Sequence, residues 1–208
     1  MTVNYGIVNR LGEVLIFEEQ ERRKEIKASL KGSTNASYSL ANRAYYVEGQ
    51  AFKGDYQVGD YFRRKCEKNN VYMVSTISSE PLADDLVYLY AMCCNAVITI
   101  MRYKGRQADE YGDIKDVFEE VYTDIPAYRD FATRSDKQTN DGRIDQAIYT
   151  LTLPHRFLLS EKDRVIMKVN IDGEYADRAF YVESTGNAIS EYGGVGVDTA
   201  QLSLDTRS

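Results

Sequence analysis

Apolar and polar positions along this chain alternate in short runs bounded by Gly, Asn, Asp and Pro, the pattern of half-buried strands joined by turns. The first apolar run is Val14-Leu15-Ile16-Phe17, and a charged stretch over residues 18–27 follows it. Ile26 and Leu30 stand four apart, as on one stripe of a helix, so a helical segment is one reading of this stretch. Residues 31–39 have the composition of a loop. Residues 43–48 read as a strand ended by Gly49. Residues 59–64 and 71–76, with a turn at Lys68-Asn69-Asn70 between them, read as a hairpin. Residues 80–85 read as an exposed connection, and 86–101 as one long apolar element ending in the β-branched Val97-Ile98-Thr99-Ile100.

Residues 102–116 are polar and lack a clean apolar period, which marks them as the seam between two halves, 1–105 and 106–208. In the second half, residues 117–122 and 127–133 read as strands flanking Asp124-Ile125-Pro126. Residues 148–153, 163–169, 178–184 and 201–205 are the later strands. A polar loop spans 135–143, a turn falls at Asp172-Gly173, and Gly193 to Gly196 form a flexible tip. One echo links the halves. Gly59-Asp60 before one strand pair and Lys162-Asp163 before another share a grammar that an old duplication would leave. The expected fold is mostly β: a compact barrel-like or sandwich core with long loops, plus a β-rich N-terminal extension or second small domain.

Composition agrees with sheet. The chain has 208 residues, 43% of them hydrophobic, with 17 Tyr, no Trp and 3 Pro. A formal net charge of −6 argues against a protein that grips nucleic acid through its phosphates. The densest basic groups, Arg22-Arg23-Lys24 and Arg63-Arg64-Lys65, read as solvated charged faces. Cys66 and the vicinal pair Cys93-Cys94 form neither a disulfide framework nor a CxxC zinc site, and suit a reducing compartment. The apolar stretch 86–101 is too short and too interrupted for a membrane span, so no membrane partner is expected.

Catalytic chemistry finds no foothold in the pattern. The single histidine, His155, follows Pro154 with no nucleophile-elbow signature, and reads as a turn histidine. The string DKQTNDGRID from Asp136 is similar to a calcium loop, but Gly142 comes one position late and Ala147 stands where the last acid should be. Gly193-Gly194-Val195-Gly196 lacks phosphate-loop spacing. The adjacent pairs Asp84-Asp85 and Glu119-Glu120 would point to opposite faces of a strand. No enzyme activity, cofactor or metal is expected. Two binding classes remain: an assembly protein, and a glycan-binding module with several Tyr clustered in a groove.

The stretches GDYFRR at 59–64, NNVYMVSTISSEPLADDLVYLY at 69–90, CNAVITIMR at 94–102, VYTDIPAYRDFATRSDKQTNDGR at 121–143, LPHRFLLSEKDRV at 153–165 and AFYVESTGN at 179–187 give the chain its resemblance. It resembles the tailed-bacteriophage head–tail connectors of the head-closure (stopper or adaptor) type, most in residues 95–208. The resemblance implies a virion structural protein assembled in the host cytoplasm into a sixfold or twelvefold ring. It also implies a portal or adaptor protein above, a tail protein below, and packaged DNA passing or retained without sequence-specific binding. By its place, the 135–143 loop is similar to a channel loop. That carries an interface or channel role onto Asp136, Lys137, Gln138, Asn140 and Asp141. The N-terminal half departs from the small stoppers and leaves tail-completion or baseplate roles as alternatives. An acidic wall that does not trap DNA suits such a channel.

Overall fold

A computed structural model describes residues 8–19, 22–32, 46–67, 69–79, 84–108, 110–132, 148–171, 174–189 and 195–206. After a short helical turn at residues 8–11, every long element is a strand. β1 (Glu13–Glu19), β2 (Arg22–Gly32), β3 (Tyr46–Phe52), β4 (Tyr61–Arg64), β5 (Tyr72–Ser79) and β6 (Leu86–Cys93) close an antiparallel barrel in the order β1-β2-β3-β6-β5-β4. β7 (Ala96–Ala108), β8 (Ile114–Phe131), β9 (Tyr149–Pro154), β10 (Arg164–Ile171), β11 (Glu174–Ile189) and β12 (Val195–Leu204) close a second one. Its order, β7-β8-β9-β12-β11-β10, is the first order with every label raised by six. The mostly β, barrel-like reading therefore holds.

Each barrel has its own core, built by period-two burial. On β10, Val165, Met167 and Val169 point inward while Lys168 and Asn170 face out. Phe62 fills the first barrel, stacked 5.4 Å from Tyr72 and tilted against Phe17 at 5.3 Å, which in turn stacks 4.9 Å from Tyr56. Leu151, Leu153, Phe180 and Leu202 fill the second. Closure needs tight approaches as well as bulk. A Cβ on Gly49 would lie 2.0 Å from the Ser29 carbonyl oxygen, so only glycine lets β2 and β3 pair there. Gly49 thus lies within β3 and does not end it.

Several sequence expectations are corrected. The charged stretch read as helical is the β1–β2 hairpin, in register from Glu13↔Ala28 to Glu19↔Arg22. Its Ile26 and Ala28 are two apart and both buried, a strand period that outweighs the single pair Ile26 and Leu30. The apolar stretch 86–101 is two strands, β6 and β7, broken at Cys94-Asn95. There the Cys94 N–H returns to the Val71 carbonyl of one barrel and the Asn95 N–H goes to the Ala127 carbonyl of the other. The compact units are 1–94 with 189–197, and 95–188 with 198–208. The polar stretch 102–116 is no seam between halves; it is the end of a long β7–β8 hairpin. Residues 114–131 form one strand, with Asp124 at φ 54 inside it.

The two barrels match at several corresponding positions. Leu15 opposes Ile26 in the first, and Ile98 opposes Ile125 in the second. Ala28 and Ala127 lie two positions further along β2 and β8, and both are fully buried. The turn before the fourth strand repeats most closely. Gly59 N–H donates to the Val74 carbonyl, Val74 N–H to Asp60, and Asp60 N–H to Gln57. Lys162, Val182, Asp163 and Ser160 make the same three bonds. In both turns the Asp carboxylate also accepts the N–H three residues back, Gln57 at 2.8 Å and Ser160 at 3.0 Å. The position is left-handed in both, φ 91 at Gly59 and φ 74 at Lys162. A lysine side chain there is strained by about 1 kcal/mol, so Lys162→Gly is expected to raise the urea midpoint by that equivalent, and Gly59→Lys to lower it.

The β1–β4 seam of the first barrel is sealed by charge. Arg64 grips Glu13 with two hydrogen bonds of 2.6 and 2.9 Å and reaches Glu67 at 2.5 Å. Tyr72 Oη donates to Glu67 at 2.6 Å and Asn70 Nδ2 at 2.9 Å. Burial pushes the Glu67 carboxyl up, but the Tyr72 and Asn70 hydrogen bonds and the Arg64 charge outweigh it and hold it below 4.5. Burial, then the bond to Glu67, pushes the Tyr72 hydroxyl up to about 12. A carboxyl held down stabilises the fold above its unfolded value, and that contribution is lost as pH falls from 4.5 through the folded value. A hydroxyl pushed up stabilises below its ordinary 10.0, and that contribution is lost as pH rises toward 12. In urea titrations across pH, Glu67→Gln is expected to flatten the acid limb of stability and Tyr72→Phe the alkaline limb.

Candidate functional site

The feature of the second barrel that its closure does not require is the outer part of the β7–β8 hairpin. β7 pairs with β10 from Ile98 to Met101, and β8 with β9 from Tyr128 to Phe131. β7 and β8 continue to pair with each other out to Ala108↔Ile114. A register shift between Tyr103 and Gly105 lies near the root of this ribbon. The root is held by a buried carboxylate. Asp163, 1% exposed, accepts the Tyr103 N–H at 3.1 Å and the Ser160 N–H at 3.0 Å. Arg102 Nε lies 3.0 Å from Asp163 Oδ2 but is aimed off the hydrogen-bond line, so the contact is an ion pair; Arg102 Nη2 donates to the Leu158 carbonyl at 2.6 Å. Arg164 pairs at 2.7 Å with Asp205, whose side chain is 1% exposed, and lies over the Phe118 ring, 4.1 Å from its centroid.

Outside the root the ribbon is wet. Lys104 and Glu119 pair at 2.5 Å and Arg106 and Asp116 at 3.1 Å across its two strands. The hydrogen bond from Lys104 and its charge hold the Glu119 carboxyl below its usual range. Tyr111 is 89% exposed at the turn. An open groove of about 530 Å3 lies where the ribbon meets the barrel, lined by Tyr103, Arg106, Asp116, Lys162 and Tyr181. It gathers two of the tyrosines, and its three other lining residues carry charge.

His155 sits in the 3-10 turn His155–Phe157, between the extended Pro154 and the left-handed Leu158. Its Nδ1 lies 2.9 Å from both carboxylate oxygens of Asp198, a buried residue of β12. The turn placement agrees with the sequence reading, but the acid was missed. Asp198 is far along the chain in an unremarkable strand, and no local spacing signals it. Among the described residues no Ser or Cys bonds to the imidazole, and the pair ties the turn after β9 to β12. Among those residues there is also no group of three His, Cys, Asp or Glu placed to hold a metal ion. Cys66, Cys93 and Cys94 are free thiols, and burial pushes all three up from their ordinary value.

Comparison with known proteins finds no matching family model, no matching curated protein and no matching solved structure. Asp136, Lys137, Gln138, Asn140 and Asp141, the residues expected to line a channel or interface, lie outside the described residues, as do Gly193 and Gly194. No described helix is long and apolar enough to cross a membrane.

Proposed function

We propose that this protein is a non-catalytic structural component of a tailed-phage particle, forming a ring at the head–tail junction that extends or closes the DNA channel below the portal and offers a docking surface to the tail. The observation that carries the reading is a scaffold of two closed β-barrels, one of which extends a hairpin well past the strands its closure uses. Closed barrels resist deformation because every wall strand is paired on both sides. A ring that transmits force between head and tail needs that property. The resemblance of the 59–102 and 121–187 segments to head-closure proteins supports the same reading. The role is mechanical, with the ring as channel wall and loops reaching proteins above and below. The residues assigned to the channel or a neighbouring protein are Asp136, Lys137, Gln138, Asn140 and Asp141. The net charge of −6 suits a wall along which DNA slides, because acidic groups do not bind phosphates or displace the counterions condensed on DNA.

Electron microscopy of the purified protein mixed with a portal ring tests the proposal. Sixfold or twelvefold rings seated on the portal are expected. Compact monomers that ignore the portal and bind glycans would move the protein to the binding-module class.

A further inference from the structure

The twin barrel shows what the β7–β8 ribbon adds. In the first barrel the matching hairpin turns directly after Glu19↔Arg22, whereas β7 and β8 run on to Ala108↔Ile114. Over residues 102–108 and 114–124, no strand of the described residues other than its hairpin partner pairs with either one. A two-stranded ribbon is marginal in water by itself, and open edges are ready templates for another strand. At the far end Tyr111 and Ile114 are 89% and 70% exposed.

The two edges differ in sign. Within the ribbon, residues 102–108 of β7 contribute Arg102, Lys104 and Arg106 with no acid, while residues 114–124 of β8 contribute Asp116, Glu119, Glu120 and Asp124 against the single base Lys115. Charges that merely guard an edge make copies repel. Here the acidic edge of one copy attracts the basic edge of another. A second copy's β7 laid against β8 would repeat the antiparallel sense of β7 on β8, so the ladder continues with each copy added. Such a contact is head-to-tail, which closes into a ring or runs on as a filament.

We propose that the β7–β8 ribbon is the self-assembly surface of this chain, the β8 edge of one copy pairing with the β7 edge of the next. The inference rests on the ring reading above and names the surface that builds the ring.

A charge-swapped chain tests it: K104E, R106E, D116K and E119K together. Each copy keeps its opposite-charge pairs within the ribbon, but its edges are reversed. Wild-type protein in a concentration series is expected to self-associate, as is the swapped protein. Energy transfer between fluorescently labelled wild-type and swapped copies should fall about tenfold below that between wild-type copies, because both junctions now join like charges. Free mixing of the two would overturn the ribbon as the surface while leaving the ring reading standing. A wild-type chain that stays monomeric at every concentration, both alone and with a portal ring, would overturn both. Hydrogen exchange on the wild type gives a second readout that needs no variant. Amides of 102–108 and 114–124 should gain protection on association, and unchanged exchange there in an assembled sample would overturn the inference.

Discussion

Replacing Asp163 with alanine is expected to lower the unfolding free energy by about 3–5 kcal/mol, the cost of removing one partner from a buried, hydrogen-bonded charge cluster. The change strips acceptors from the Tyr103 and Ser160 amides and leaves Arg102, 30% exposed, without its carboxylate. Asp163→Asn keeps an acceptor but no charge and should fall between the two. The matching Asp60→Ala should cost less, about 1–2 kcal/mol, because Asp60 is only half-buried. Urea unfolding gives the magnitudes. Hydrogen exchange gives the location: the Tyr103 amide and its ribbon neighbours should lose protection in Asp163→Ala and keep it in Asp60→Ala.

Phe62→Ala should cost about 3–5 kcal/mol, since the ring is 1% exposed and its loss leaves a cavity between Phe17 and Tyr72 that the closed wall resists collapsing. The second barrel has Val165 at the matching place, opposite Ile100, where the first has Phe62 opposite Phe17. The two cores therefore solve the same space differently. Phe62→Leu should retain most of the stability that Phe62→Ala loses, as read from urea midpoints. Equal losses in the two variants would mean that the aromatic stack, and not the filled volume, carries the stability.

How far the sequence could be read depended on what each segment faces. β10 buries alternate residues, β4 buries Phe62 alone, and β5 and β9 are short apolar runs buried over three or four consecutive residues; with turns on either side, each was marked close to its true position. The repeated Gly59-Asp60 and Lys162-Asp163 turns were visible because a left-handed corner with an Asp bound back to the chain leaves a local signature. The β7–β8 ribbon was not recognised, because water meets both of its faces and no apolar period of two survives between Arg102 and Asp116. β6 and β7 merged into one element because both are apolar and only Cys94-Asn95 separates them. The His155–Asp198 pair and the Arg102–Asp163 root depend on residues far apart in sequence, beyond the reach of any spacing rule.

The twin topology also bears on the order in which the chain acquires structure. All six strands of the first barrel lie within residues 13–93, so this barrel is complete in sequence before most of the second has left the ribosome. Within each barrel the closing pair joins the first strand to the fourth, Leu15 to Arg64 and Ile98 to Met167. Those distant partners set a high contact order, which makes closure the slow step. During synthesis the first barrel can pass that step alone, with none of the second barrel's similar strands yet present to compete for its open edges.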